Sequence, residues 1–325
     1  MSVGPAARSG EDRGDPVDLR TRVGSVELAN PVMTASGTSG HGAELAAYVD
    51  LAALGAVVVK SVSAGVWAGN PAPRLLPLDA AMLNSVGLQN GGVAHWLAEE
   101  LPLLAGAGAV VVASIWGFRA EEYRRVAGAI AGAGSPSIVA VEANISCPNV
   151  EDRRRMFAHS AGGVAEAVTA AVEGLAGRLP LWAKLSPNVT DLPEMARAAA
   201  AAGAEAVTLV NTVMGMAIDP ASGRARLGGG GGGLSGPAIH PIAVRAVFEC
   251  RSALPSVPIV GVGGIVDGAG AAEMLAAGAS AVQVGTATFA DPRAPARVLS
   301  GLREWCAANG ISKIDELKGR AHDPS

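Results

Sequence analysis

Short apolar runs alternate with longer segments in which apolar residues recur every three or four positions, and the alternation continues through most of the chain. A short apolar run bounded by turn residues is typical of a buried strand, and the three-to-four spacing is typical of an amphipathic helix. Strands are predicted at residues 31–36, 56–60, 109–115, 138–146, 181–185, 206–210, 257–262 and 281–284. Helices are predicted at residues 44–54, 93–104, 120–131, 163–175, 192–202, 237–250, 268–277 and 294–308.

This alternation predicts an α/β fold with a parallel sheet covered by helices. Eight such repeats close naturally into a (β/α)8 barrel, the TIM-barrel architecture. An open doubly wound sheet is the alternative, but the glycine fingerprint that usually follows its first strand is missing. Residues 17–28 alternate and break at Gly24, which predicts a small hairpin before the barrel. We expect one domain over residues 17–325 and a disordered polar tail over residues 1–16.

Composition and charge narrow the possible functions. The formal net charge of −4 over 325 residues gives no reason to expect nucleic acid or an anionic membrane as a partner. No apolar run approaches the roughly 20 residues that a membrane-spanning helix needs. The 3 cysteines lie far apart and the 5 histidines are scattered, so neither a disulfide framework, a cysteine-ligated cluster nor a metal site is predicted. We therefore expect a cytosolic protein.

Polar chemistry is densest at the end of the fourth predicted strand. Pro148 blocks continuation of that strand, and polar side chains crowd around it. The cluster comprises Asn144, Ser146, Cys147 and Asn149. Parallel α/β folds place their chemistry at the carboxyl ends of strands. A lone buried cysteine usually acts as a small hydrophobic residue, but the neighbouring polar groups favour a functional thiol at Cys147.

Lysines and glycine-containing turns follow other predicted strands. A single lysine at a strand end is ordinarily solvated, but Lys60 and Lys184 would both face the barrel mouth. Together they need an anionic partner, such as a phosphate, an electron-rich ring or a carboxylate. Gly263-Gly264 and Gly285-Thr286 follow strands seven and eight, where barrels bind phosphate through backbone N–H groups. These turns predict a phosphate-bearing cofactor or substrate.

Two long loops would lie over the carboxyl face of the barrel. The loop at residues 67–92 follows the second strand, and a loop of this length in a barrel is usually functional, although a surface Ω-loop is the alternative. The loop after the sixth strand contains six consecutive glycines at 228–233. This glycine run predicts either a flexible linker or a mobile lid.

Taken together, these segments resemble the dihydroorotate dehydrogenases, the flavin enzymes of pyrimidine synthesis. The matching segments are NPVMTASGT (30–38), NPAPRL (70–75), MLNSVGLQN (82–90), NISCPNV (144–150), AKLSPNVTD (183–191), VNTVMGMAID (210–219), GGLSGPAI (232–239), VGGI (262–265) and VGTA (284–287). The resemblance implies a barrel with FMN at its mouth and a cysteine base, as in the class 1 enzymes. It is greatest to the NAD-linked catalytic subunit of class 1B, which pairs with a chain that carries FAD and a [2Fe–2S] cluster.

The resemblance also implies a role for each site residue. Cys147 would take the C5 proton of dihydroorotate, Lys60 would contact both FMN and substrate, and Lys184 would stabilise negative charge on the reduced flavin. The implied FMN-binding residues are Ser36, Lys60, Ser61, Ser114, Asn144, Lys184, Val210, Gly236, Gly263, Gly264, Gly285 and Thr286. The implied substrate-binding residues are Lys60, Asn84, Ser85, Val86, Gly87, Leu88, Asn144, Asn211 and Thr212. A homodimer of this chain is expected.

The sequence departs from the family pattern at two places. Ser114 stands where an asparagine is expected near the flavin, and the charged run at 151–155 follows the cysteine loop, where small residues are usual. A charge run is normally a solvated face, but this one could reshape the substrate lid or the partner contact.

Three alternative functions stay open, because a barrel fold alone does not determine function. They are a fumarate-linked class 1A enzyme, a dihydropyrimidine dehydrogenase subunit and a flavin-binding regulatory subunit without catalysis.

Overall fold

The computed structural model of the chain describes residues 17–146 and 157–323. Cys147, the charged run at 151–155 and the predicted tail at 1–16 lie outside the described residues. The strands are β1 (Thr21–Val23), β2 (Val26–Leu28), β3 (Val32–Thr34), β4 (Val57–Val58), β5 (Leu75–Leu78), β6 (Ala81–Asn84), β7 (Val111–Ile115), β8 (Ile138–Asn144), β9 (Leu181–Lys184), β10 (Ala206–Leu209), β11 (Val213–Gly215), β12 (Ile218–Asp219), β13 (Arg224–Ala225), β14 (Gly232–Ser235), β15 (Ile259–Val262) and β16 (Ala281–Val284).

The helices flank the strands along the chain. The α-helices are α1 (Val93–His95), α2 (Leu101–Gly106), α3 (Ala120–Ala133), α4 (Ala161–Leu175), α5 (Leu192–Ala201), α6 (His240–Ala253), α7 (Gly268–Ala276), α8 (Ala287–Ala290) and α9 (Ala294–Ala308). A π-helical segment, Trp96–Glu100, joins α1 to α2. Short 3₁₀ helices lie at Glu44–Ala47, Leu51–Ala53, Phe157–His159, Pro237–Ile239, Ile314–Glu316 and Arg320–His322. No helix within the described ranges is long and apolar enough to cross a membrane.

Parallel strands form a closed barrel, as predicted. Hydrogen-bonded neighbours follow the order β3-β16-β15-β10-β9-β8-β7-β4, and a parallel bridge between Met33 and Ala56 joins the two ends of the sheet. These strands are mostly apolar and are buried on both faces because side chains fill the barrel interior while helices cover its outside. The predicted (β/α)8 barrel is confirmed.

The predicted N-terminal hairpin is also present, as β1 paired antiparallel with β2. Its apolar side chains, Val23, Val26 and Leu28, pack in one cluster with inward residues of the barrel such as Met33 and Trp182. Several residues of this cluster lie at the first positions of their strands, so the hairpin covers the amino-terminal end of the barrel. The carboxyl ends of the strands are left for the site.

The first predicted helix, at residues 44–54, is wrong. Two short 3₁₀ helices occupy this segment, and Asp50 separates them with an extended backbone (ψ 108°). The Asp50 side chain accepts a hydrogen bond from the Ala52 backbone N–H at 3.0 Å and so begins a new helix. An aspartate that caps one helix cannot continue the preceding one.

The two long loops pair with each other in a second sheet, which the sequence did not predict. Its strands follow the order β11-β14-β6-β5 and are antiparallel. Two of the six glycines, Gly232 and Gly233, belong to β14. The flexible-linker prediction is therefore wrong for this part of the run, because close packing requires glycine there: a Cβ at Gly233 would lie 2.0 Å from Thr212 Oγ1.

Candidate active site

A cavity of about 630 Å³ lies at the carboxyl ends of the barrel strands, between the barrel and the second sheet. This volume falls in the range of small-molecule and cofactor sites, roughly 300–1,000 Å³. Most of the predicted site residues line it. They are Ser36, Lys60, Ser61, Asn84, Ser85, Val86, Gly87, Leu88, Asn144, Lys184, Val210, Asn211, Thr212, Gly236, Gly263, Gly264, Gly285 and Thr286.

One hydrogen-bonded chain of side chains crosses the strand ends in the cavity wall. Asn144 Nδ2 donates to Ser61 Oγ at 3.3 Å, and Asn144 Oδ1 accepts from Asn211 Nδ2 at 3.2 Å. Ser61 Oγ in turn lies 3.2 Å from Ser36 Oγ. The buried Tyr123 hydroxyl donates to the Asn144 backbone carbonyl at 2.7 Å and fixes the end of β8 from outside. The amide groups are therefore held in place before any ligand binds.

The prediction that Ser114 contacts the cofactor is not supported by its position. Ser114 lies on β7, is fully buried and is not among the residues that line the cavity. Its hydroxyl hydrogen-bonds to Ser61 Oγ at 2.8 Å. The serine side chain is shorter than the expected asparagine and ends at Ser61, which itself lines the cavity. Ser114 therefore supports Ser61 and does not reach the cavity.

Lys60 follows β4 and faces the cavity with its side chain half-buried. Burial lowers the pKa of Lys60, and the nearby positive charge of Arg74 lowers it further. Arg74 itself donates to the Asn70 and Ala68 carbonyls at 2.6 Å and 2.9 Å, which ties the long loop after β4 together. An anionic group bound beside Lys60 in the cavity would favour the charged form of this lysine.

Lys184 ends β9 and is 5% exposed. Its Nζ donates to Gln283 Oε1 at 3.3 Å and lies 3.8 Å from Glu142 Oε1. The Lys184 side chain is therefore fixed inside the barrel, and Lys184 forms part of the cavity wall. Within the described ranges, Lys60 and Lys184 bring two cations to one cavity, as predicted from the sequence.

The glycine turns after β15 and β16 form a narrow part of the cavity wall. Gly264 has a φ of 68°, and a Cβ there would lie 2.7 Å from His240 Cβ and 2.9 Å from the Gly236 carbonyl oxygen. The His240 ring lies 2.8 Å through Nδ1 from the Gly263 carbonyl and 3.2 Å through Nε2 from Glu273 Oε2. A cradle that excludes side chains suits the close approach of backbone N–H groups to a phosphate.

The segment from Ser85 to Leu88 presents backbone to the cavity. Gly87 and Leu88 have φ values of 72° and 63°, so the chain turns sharply there. The indole Nε1 of Trp67 donates to the Gly87 carbonyl at 2.8 Å, and Asn70 Nδ2 donates to Ser85 Oγ at 3.0 Å. These bonds hold the predicted substrate loop in one conformation.

Asn188 is a site residue that the sequence reasoning missed. It lines the cavity, and its Nδ2 donates to the Thr212 carbonyl at 2.9 Å while its Oδ1 accepts from the Met214 N–H at 2.8 Å. It therefore fixes the start of the loop that carries Thr212. One feature of the sequence could have identified Asn188: the Ser-Pro-Asn segment after β9 resembles the Cys-Pro-Asn segment that follows β8.

The two described cysteines are structural. Cys250 is fully buried in α6, and burial raises the pKa of its thiol to about 12. Burial also raises the pKa of Cys306. Cys147, the predicted base, lies outside the described residues, directly after Ser146 of the cavity wall. Among the residues that the structure describes, no group of three or more His, Cys, Asp or Glu side chains could hold a metal ion.

Comparison with known proteins is consistent with this site. The sequence pattern of a family described as dihydroorotate dehydrogenase matches residues 18–305. A dihydroorotate dehydrogenase B (NAD(+)) catalytic subunit from Desulforudis audaxviator is 47% identical over 313 residues, which cover 94% of this chain and 98% of the relative. The corresponding subunit from Geotalea daltonii is 44% identical and covers 93% and 97%. A relative from Solibacter usitatus, provisionally named dihydroorotate dehydrogenase A (fumarate), is 46% identical with the same coverage.

Proposed function

Because the chain belongs to the dihydroorotate dehydrogenase family, we propose that it oxidises (S)-dihydroorotate to orotate in pyrimidine synthesis, with FMN bound at the barrel mouth. One observation carries the proposal: side-chain amides, two lysines and a glycine cradle converge on one cavity. The amides suit a pyrimidine ring, which presents N–H and carbonyl groups at its edge. The cradle and the lysines suit a ligand that carries a phosphate and an electron-rich ring.

The cavity residues divide between cofactor and substrate. Gly263, Gly264, Gly285 and Thr286 would receive the FMN phosphate, and Lys184 would face the flavin ring. When bound, FMN supplies an acceptor for the hydride that leaves C6 of the substrate. The carboxylate and amide groups of dihydroorotate would be held by Asn84, Asn144, Asn211 and Thr212, together with the backbone of residues 85–88. The preformed hydrogen bond between Asn144 and Asn211 supports this assignment, because orientation fixed in advance lowers the barrier.

Cys147 is the proposed general base. As a thiolate it would take the proton from C5, forming an S–H bond, while the C–H bond at C6 breaks with both electrons leaving as hydride. The C5–C6 double bond of orotate then forms, and the substrate has lost one proton and one hydride. A free thiol titrates near about pH 8.5. We therefore expect turnover to rise from neutral to mildly alkaline pH.

NAD is the proposed final electron acceptor, reached through a partner subunit that carries FAD and a [2Fe–2S] cluster. The names of two close relatives, each a catalytic subunit of an NAD-linked enzyme, support this choice. The relative from Solibacter usitatus supports fumarate as the second candidate. We also propose that the chain forms a homodimer.

Steady-state oxidation tests the function. The purified chain, loaded with FMN, is given dihydroorotate and an artificial dye acceptor, and orotate is quantified by chromatography. We expect orotate to form at a rate that saturates with dihydroorotate, and dihydrouracil to be a poor substrate. A chain that oxidises dihydrouracil as well as dihydroorotate would instead be a dihydropyrimidine dehydrogenase. Rapid turnover with fumarate by the chain alone would replace the NAD assignment by the class A alternative.

A further inference from the structure

A carboxylate lies inside the barrel beneath the cavity, and the proposed reaction does not use it. Glu142 is on β8, two residues before Asn144, and is 0% exposed. A lone buried carboxylate is costly, so its surroundings must compensate the charge. The Thr208 hydroxyl and the Gln283 Nε2 both donate to Glu142 Oε2, at 2.9 Å and 2.7 Å.

The second carboxylate oxygen faces a single cation. Glu142 Oε1 accepts no hydrogen bond within the part of the chain that the structure describes and lies 3.8 Å from Lys184 Nζ. Lys184 Nζ is held from another side by Gln283 Oε1 at 3.3 Å. Gln283 therefore bridges the pair, since its amide donates to the carboxylate and its carbonyl accepts from the ammonium group.

The pair is connected to the cavity through the lysine alone. Lys184 is among the residues that line the cavity, whereas Glu142, Thr208 and Gln283 are not. Both members of the pair are nearly inaccessible to solvent, so salt screens their attraction much less than it screens a surface pair. Glu142 therefore acts on a ligand in the cavity from behind Lys184, by fixing that side chain and by offsetting part of its charge.

We propose that Glu142 is a positioning residue that fixes the Lys184 ammonium group at the cavity wall and offsets its charge, and thereby sets the reduction potential of the bound flavin. This inference rests on the proposed binding of FMN in the cavity. A cation beside the flavin favours the reduced, more negative form. The carboxylate behind that cation weakens the effect, so Glu142 keeps the flavin potential lower than Lys184 alone would allow.

The test is the midpoint potential of the bound flavin, measured by reductive titration against a reference dye. Glu142→Gln keeps an acceptor for Thr208 and Gln283 but removes the negative charge. We expect the potential to rise by about 30 mV, which is a tenfold change in a two-electron equilibrium. Lys184→Met should lower the potential. If Glu142 acts mainly by holding and offsetting the lysine, adding Glu142→Gln to Lys184→Met should raise the potential by much less than Glu142→Gln alone raises it in the parent.

Thr208→Val is the matched control. It removes one hydrogen bond from the same carboxylate oxygen without changing any charge, so it should lower thermal stability and leave the potential within a few millivolts of the parent. A falling or unchanged potential in Glu142→Gln, or an equal rise in the Lys184→Met background, would overturn the proposal. The titration contains no dihydroorotate, so a failure of the proposed reaction and a failure of this inference are distinguishable.

Discussion

At the scale of single residues, Asn188 and Asn144 connect loops that are far apart in sequence. Each uses both ends of its side-chain amide, so each links two segments of the cavity wall. Asn144 stands at a predicted strand end and was identified from the sequence. Asn188 lies three residues beyond the predicted end of its strand at Leu185. Its role depends on the position of the loop that carries Thr212, which only the folded structure shows. Sequence reasoning finds polar residues at strand ends more readily than those that fix a distant loop.

Asn188→Ala should weaken substrate binding more than it slows the chemical step. The variant loses the bonds to the Thr212 carbonyl and the Met214 N–H, each worth about 1 kcal/mol. We expect KM for dihydroorotate to rise about tenfold, with kcat changed by less than about threefold. Asn309→Ala, at the exposed end of α9, removes a single amide-to-carbonyl bond and serves as the control. A kcat that falls with KM unchanged would contradict this role.

The three thiols should differ in reactivity. Because burial raises the pKa of Cys250 to about 12 and also raises that of Cys306, neither is a nucleophile near neutral pH. Iodoacetamide at pH 8 should alkylate Cys147 first, and orotate should protect it. Peptide mapping by mass spectrometry measures the order. If Cys250 and Cys147 were alkylated at equal rates in the native protein, Cys147 would be neither more exposed nor more ionised than a buried structural thiol.

Replacing the proposed base should affect catalysis far more than replacing a structural thiol. Cys147→Ser leaves a hydroxyl that is a poor base at neutral pH, and we expect turnover to fall by roughly 10²–10⁴-fold. Cys250→Ala keeps the buried position apolar and should retain turnover within a few-fold, although it lowers stability. Orotate formation at pH 7 is the measurement. Equal turnover of Cys147→Ser and the parent would remove the proposed base.

At the scale of elements, the barrel strands were predictable and the second sheet was not. Strands such as β7 and β8 are mostly apolar because both of their faces are buried, with Ser114, Glu142 and Asn144 as the polar exceptions, and that pattern identifies them in sequence. β6 and β14 contain polar residues and glycines, and they pair only because two long loops meet over the barrel. The 3₁₀ helices at 44–53 also escaped prediction, since alanine and leucine suit a longer helix equally well. Ser114 was assigned to the flavin from the family resemblance, and only the structure shows that its side chain lies behind Ser61 and outside the cavity wall.

The glycine run should tolerate substitution unevenly. A Cβ at Gly233 would lie 2.0 Å from Thr212 Oγ1, whereas at Gly231 the nearest atom would be 3.3 Å away. Overpacking of this kind costs about 1–3 kcal/mol. Gly233→Ala should therefore lower the free energy of unfolding by about that amount and raise KM for dihydroorotate, because Thr212 is displaced. Urea unfolding and steady-state kinetics measure both effects.

Gly231→Ala is the matched control in the same run. Its Cβ would lie 3.3 Å from the Gly215 carbonyl oxygen, so it should change the urea midpoint and KM clearly less than Gly233→Ala does. If both alanine variants behave alike, the run is a tolerant linker, and the close packing of β14 against Thr212 does not constrain the site.

At the scale of the whole molecule, acid should weaken the fold before most carboxylates titrate. Burial lowers the pKa of His41 to about 4, and the charge of Lys60 contributes. Between about pH 6.5 and 4 the unfolded chain binds more protons at this histidine than the folded chain does, so stability falls as pH falls through this window. We expect a lower urea midpoint at pH 5.5 than at pH 7.5. His41→Gln should reduce that difference, and an unchanged difference would exclude His41 as its source.

The barrel brings the proposed cofactor-binding and substrate-binding residues from most of its strand ends into one cavity, so the two ligands should react within a single binding site. Anaerobic mixing of the FMN-loaded protein with dihydroorotate, without any acceptor, tests this directly. We predict that the visible flavin absorbance is lost and that one orotate forms per FMN. A flavin that dithionite bleaches but excess dihydroorotate leaves yellow would contradict the assignment of this cavity.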